Sequence, residues 1–148
     1  MQEVFTPLEV HTRGAAVASG DLLLTGFTDD IEKIDLLKIG TKVRYDKQFR
    51  PEGTNVNFVQ MLNNDSISIR TYERGVENET YACGTGAVAS SIVGYLKGLL
   101  KAKKITVLTK GGELTVELEE MNGDIKNVYL ESPVKIVYSA EYLGEGNV

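Results

Sequence analysis

The residues of this chain that could do chemistry gather in one run, Tyr72-Glu73-Arg74-Gly75-Val76-Glu77-Asn78-Glu79-Thr80-Tyr81-Ala82-Cys83-Gly84-Thr85-Gly86. Cys83 is the only cysteine in 148 residues. It stands between an expected strand end and an expected helix start, and Gly84 and Gly86 leave the first backbone N–H groups little shielded. Unpaired N–H groups at a helix start, with the positive end of the helix dipole, form an anion site. A thiol at that place has its thiolate stabilised and its pKa drawn toward the working range. The pattern therefore predicts a carboxylate cradle beside an acid/base thiol. A lone cysteine is otherwise most simply a small buried hydrophobe. The glycines beyond Cys83 and the Glu73-Arg74 pair ten residues before it favour chemistry.

Two elements must hold this run in place. After Cys83, the residues Val88, Ile92, Tyr95, Leu96, Leu99 and Leu100 recur at three- and four-residue intervals, which predicts a long helix buried along that face. Before it, Val56 to Leu62 and Ser66 to Tyr72 read as two strands joined at Asn63-Asn64-Asp65. Asn55 opens the first strand and Glu73-Arg74 close the second, so an antiparallel pair brings Asn55, Glu73 and Arg74 to the same end. The simpler reading gives Asn55 to its own turn and leaves Glu73 and Arg74 as a solvated strand end.

The remaining chain supplies a sheet. Residues 1–10 read as a short strand, Arg13 to Gly20 as a loop of small residues, and Leu22 to Phe27 as a buried strand. Thr28-Asp29-Asp30 offers cap chemistry for a helix from Ile31 to Ile39, closed by Gly40. Strands follow at Ile105–Leu108 and at Leu114, Val116 and Leu118, whose polar neighbours alternate with them. Asn122-Gly123 is a hairpin signal. Val128–Leu130 and Val134–Tyr138 are expected to complete the sheet, ahead of a tail at Gly144–Val148. The fold class expected is α+β, a mostly antiparallel sheet wrapped around a long central helix, in a single domain over residues 1–148.

Composition narrows the partners. A net charge of −5, without a run of basic residues long enough to track phosphates, argues against nucleic acid. No apolar run approaches a membrane span, and the N-terminus lacks the layout of an export signal. With one cysteine, the expected compartment is a reducing cytoplasm. His11 is the only histidine and has no metal-binding company, so neither metal nor cofactor is expected.

Glu73-Arg74-Gly75, then Glu79-Thr80, then Ala82-Cys83-Gly84-Thr85-Gly86, resembles the C-terminal signature of the diaminopimelate epimerase family. Gly53-Thr54-Asn55-Val56-Asn57-Phe58 is similar to the substrate-binding motif that precedes it. The resemblance implies one half of a two-domain fold and a cofactor-independent epimerisation at an amino-acid α-carbon. It implies that one cysteine removes the α-proton while a thiol on the opposite face delivers another. Carried over, Cys83 is one of the two acid/base thiols, Gly84 and Thr85 offer N–H groups to the reacting carboxylate, Arg74 pairs with a substrate carboxylate, and Glu73 and Asn55 hold ammonium groups.

The family's chains are built from two similar halves, and this chain corresponds to the second. The resemblance covers residues 29–140; residues 1–28 are atypical, with Ala18-Ser19-Gly20-Asp21-Leu22-Leu23 where the family carries an asparagine and a histidine. A partner is therefore expected, either a separate N-terminal half or a second copy in a homodimer. The alternatives are a catalytically inactive half domain serving as a binding or interaction module, and the same chemistry on another amino acid.

Overall fold

A computed structural model of the chain describes residues 14–18 and 22–141. In chain order they form β1 (Gly14–Ala18), β2 (Leu22–Thr28), α1 (Leu36–Arg44), β3 (Asn55–Met61), β4 (Ser66–Glu73), β5 (Asn78–Thr80), α2 (Gly84–Leu96), β6 (Lys104–Thr109), β7 (Gly112–Met121) and β8 (Asp124–Glu131). The result is a mixed α+β fold, one curled sheet with two helices. Its strands run β1-β2-β3-β4-β6-β7-β8, with β5 also paired to β4. The β2–β3 and β4–β6 pairings are parallel and the other five antiparallel.

The period of two along β2, β3 and β4 decides which helix each side chain meets. Leu24, Val56, Phe58 and Tyr72 join Leu36 and Val43 of α1 in one core cluster. Val59 and Ile69 join Ala87 of α2 and the β6–β7 residues Ile105, Val107, Leu114, Val116 and Leu118 in another. Both faces of β3 are thus covered, and its first five residues are buried in succession. The cross-strand pairs Thr25↔Asn57 and Asn57↔Thr71 place a polar row inside the α2 face.

Several elements differ from their sequence expectation. Gly14–Ala18 is a strand paired antiparallel with β2 and not a loop; it is held by backbone pairing, which leaves no periodic signal in small residues. The strand expected within residues 1–10, His11 and the tail from Gly144 lie outside the described residues. Helix α1 starts at Leu36, not Ile31, because Asp35 supplies the cap, its side chain accepting from the Lys38 N–H at 3.2 Å. The Ile31–Ile34 turn is committed elsewhere: Gln60 accepts from the Ile31 N–H, and Arg70 donates to the Ile31 and Ile34 carbonyls at 3.0 and 3.3 Å. Gly40 does not end α1. It lies inside the helix where a Cβ would stand 2.6 Å from Tyr72 Cβ, so glycine is needed for close approach.

Helix α2 is shorter than expected, and the residues it buries most deeply are not those of the expected stripe. It ends at Leu96, where Gly98 at φ +70° allows a Schellman closure: the Gly98 and Leu99 N–H groups donate to the Tyr95 and Gly94 carbonyls, both at 2.9 Å. Its buried side is the small one, Gly86, Ala87, Ala89, Ser90, Ser91, Val93 and Gly94. The large apolar stripe is covered only in part: Val88, Ile92 and Tyr95 are half-buried against the core and Leu100 is buried in it, while Leu96 and Leu99 are exposed. Small residues win the sheet side because they let the helix sit close to a surface that already carries large side chains.

The Asn122-Gly123 turn has φ of 54° and 85°, the double positive of a type I′ hairpin joining β7 to β8. Val134–Tyr138, by contrast, forms no strand. Val134 and Ile136 are 95% and 89% exposed, because the described sheet ends at β8 and nothing beyond it pairs with them. Among the described residues no helix is long and apolar enough to cross a membrane.

Arg70 ties the α1 loop to β5 through a two-pronged pair with Glu79 at 2.7 and 3.1 Å. The Arg70 guanidinium holds the Glu79 carboxyl below its usual 4.5 against the opposing effect of burial. A carboxyl depressed in the folded state stabilises above its unfolded pKa, and that stability is lost as pH falls through the folded value. Arg70→Ala should therefore cost about 1–3 kcal/mol at neutral pH. The difference from wild type should shrink below about pH 4.5, as read from denaturant unfolding across pH.

Candidate active site

Cys83 is not merely near the start of α2; it is the cap of the helix. Its backbone is extended (φ −129°, ψ 107°), its carbonyl accepts the first helical bond from the Ala87 N–H at 2.9 Å, and its Sγ accepts from the Gly86 N–H at 3.4 Å. Sulfur here takes the part that a serine or aspartate oxygen commonly plays. Thr85 Oγ1 lies 3.4 Å from the same Sγ. The Gly84 and Thr85 N–H groups belong to the first turn, where a helix has no partners of its own for them.

Three supports fix this cap. From below, the small face of α2 rests on β2 and β3. From the chain before it, Tyr81 is held by the β6–β7 turn: the Gly111 N–H donates to the Tyr81 carbonyl at 2.7 Å. A Cβ on Gly111 would stand 3.0 Å from that carbonyl oxygen, so a larger residue would push the turn off Tyr81 by a few tenths of an ångström. From β8, Leu130 lies over Gly84, its Cδ2 2.9 Å from where a Cβ would be.

Cys83, Gly84, Thr85 and Glu73 line one cavity of ≈ 570 Å³, walled by Leu23, Val88, Ala89, Ile92 and Leu130. Glu73 reaches it because β4 ends there, on the α2 side of the sheet. Asn55 and Arg74 sit behind Glu73 and not among the lining. The Asn55 side-chain oxygen accepts from the Arg74 N–H at 2.7 Å, so the strand-end neighbours expected from sequence do meet. The Arg74 guanidinium reaches the Glu52 carbonyl at 3.4 Å. The arrangement sets a thiol, a carboxylate and a helix N-terminus around one space, which can move a proton next to a developing anion.

Sequence reasoning missed the residue that shapes the Glu73-Arg74 turn. Glu77, at φ 57°, folds its carboxylate back to accept from the Gly75 N–H at 3.1 Å, from Arg44 Nε at 3.1 Å and from the Tyr72 hydroxyl at 3.3 Å. Burial pushes its carboxyl up, but the Gly75 N–H, Tyr45 and Arg44 outweigh it and hold it below the usual range. Its only trace in sequence is a charged residue in a turn that needs a positive φ. Asn57 was named within the Gly53–Phe58 motif but given no part of its own, though a polar side chain in a strand covered on both faces is the signal of an internal support.

A sequence model of the diaminopimelate epimerase family matches residues 16–137. Curated relatives named diaminopimelate epimerase include those of Aquifex aeolicus, 52% identical over 74% of this chain and 39% of the relative. That of Chlorobaculum tepidum is 40% identical over 82% of this chain and 47% of the relative. The chain thus spans less than half the length of these relatives. Among solved structures, a phenazine biosynthesis PhzF-family protein of Enterococcus faecalis superposes with a TM-score of 0.54 at 14% identity, over 72% of this chain and 39% of that one. A hydroxyproline epimerase of Agrobacterium vitis gives 0.51 at 11% identity, over 75% and 38%. At such identities the likeness is one of fold alone. With its cysteine-capped helix and its match across residues 16–137, this chain belongs to the diaminopimelate epimerase family.

Proposed function

We propose that this chain is one half of a cofactor-independent epimerase that converts LL-diaminopimelate to meso-diaminopimelate, a precursor of lysine and cell wall. The observation that carries the reading is Cys83 capping α2 in one cavity with Glu73, Gly84 and Thr85, in a chain of this family. The Cys83 thiolate takes the α-proton, and the electron pair of the broken C–H bond spreads into the neighbouring carboxylate. The Gly84 and Thr85 N–H groups and the positive end of α2 face that charge, so they bind the carbanion more strongly than the substrate. Glu73 and Asn55 hold ammonium groups, and Arg74 takes the distal carboxylate. A thiol on the opposite face returns a proton with inverted configuration; microscopic reversibility lets Cys83 play either part.

The second thiol comes from outside this sequence, which holds one cysteine. A complementary N-terminal half or a second copy of the chain supplies it. Two features support a missing body. The Val134–Tyr138 segment alternates like a strand yet is exposed, and the large apolar face of α2 opens toward the cavity. In that assembly α2 becomes the central helix of a sheet wrapped around it. The single cysteine equally favours a second reading, a catalytically inactive half that binds without turnover.

Deuterium incorporation at the α-carbons of diaminopimelate, followed by mass spectrometry with a complementary half present, separates the two. Exchange that Cys83→Ala lowers by at least about 100-fold supports the epimerase; no exchange in the wild type, alone or assembled, favours the binding module. Arg74→Ala should weaken binding of dicarboxylates while sparing monocarboxylates. Ending the chain at Pro133 should leave the thermal midpoint within a few degrees, since Val134–Tyr138 is exposed among the described residues, yet prevent assembly measured by sedimentation.

A further inference from the structure

Below the site row of Leu23, Asn55 and Glu73 lies the polar row Thr25, Asn57 and Thr71, all buried beneath the first turns of α2. Asn57 is fully buried, and its amide is held at both ends. Its Nδ2 donates to the Leu24 carbonyl at 3.1 Å, and its Oδ1 accepts from the Thr71 hydroxyl at 2.9 Å. A buried amide locked in this way cannot rotate without breaking a bond that nothing else replaces. Its Oδ1 occupies the space that a Cβ on Gly86 would need, and Cys83 Sγ lies 3.2 Å from the same point. Gly86 is therefore wedged between the Asn57 amide and the sulfur to which it donates its N–H.

We propose that Asn57 is a positioning residue for Cys83: by seating Gly86 it fixes the direction of the one backbone N–H that the sulfur accepts. Its catalytic meaning rests on the epimerase reading above; the positioning itself does not. The bond it governs is a long one, at 3.4 Å, so a small settling of the first turn takes the N–H out of line. Without the amide beneath it, α2 settles into the vacated space, the thiolate loses a donor, and the thiol becomes harder to ionise. Glu73 is the titratable side chain that shares the cavity with the sulfur, and it lies one row above Asn57, on the other side of the wedge.

The single cysteine makes the test direct, because the pH dependence of its alkylation by iodoacetamide, read as added mass on the chain, reports the Cys83 thiolate. The titration is run without substrate on wild type, Asn57→Ala, Gly86→Ala and the double variant, with folding checked by thermal unfolding. Each single change should weaken thiol ionisation by about three- to tenfold, the equilibrium worth of one such hydrogen bond. The double variant should titrate closer to wild type than either, because the new methyl fills the space that the amide left; such non-additivity marks direct contact. A folded Asn57→Ala chain that titrates as wild type overturns the proposal, and so does a double variant whose shift is the sum of the two. If Asn57→Ala does not fold, the double variant decides: folded and near wild type supports the proposal, unfolded or shifted further overturns it. Deuterium exchange into diaminopimelate is a separate measurement, so failure of the epimerase reading leaves this outcome readable.

Discussion

One hydrogen bond, from the Gly86 N–H to Cys83 Sγ, joins the fold of this chain to its chemistry. A helix start leaves donors that something must accept, and here the acceptor is the residue proposed to move the proton. The same bond that closes the helix therefore also fixes where the sulfur stands. The neighbouring Gly84 and Thr85 line the cavity, so the first turn gives one donor to the sulfur and sets the next residues beside open space. Anything that shifts α2 along its axis changes both parts together.

The rest of the structure is arranged to prevent that shift. Small residues bring α2 close to the sheet, and close approach makes the polar row beneath it a fixed stop and not a cushion. The Gly111 contact fixes the strand before the cap, and Leu130 closes over Gly84 after it. On the other side of the cavity, Glu73 is aimed by a turn whose shape depends on Glu77, Arg44 and Tyr72, which tie it to α1. Both helices thus serve the site, one by bearing the cap and the other by anchoring the opposite wall.

The apolar stripe of α2 and the exposed Val134–Tyr138 segment share one physical meaning. Each is written in the pattern of a buried element, yet Leu96 and Leu99 of the α2 stripe and all of Val134–Tyr138 stay exposed among the described residues. The chain spans less than half the length of these relatives, and under the reading proposed above both surfaces would meet the missing half.

The sequence alone determined the strands with a clear period, the Asn122-Gly123 turn, and the meeting of Asn55 with the Glu73-Arg74 end, because alternation and turn chemistry are local. It also carried the family, through the Glu73-to-Gly86 run. Tertiary structure decided the rest. Periodicity marked an apolar stripe on α2 but could not say that the small face, not the large one, is buried most deeply, since both are apolar and packing distance chooses between them. The start of α1 moved to Leu36 because Gln60 and Arg70, 29 to 39 residues away, claimed the backbone groups of Ile31 and Ile34. Asn57, Glu77 and Leu130 became part of the site only when strand register and a positive φ placed them there. Spacing along a chain can show that a thiol stands at a helix start; what holds it still is contributed by residues that are neighbours only in space.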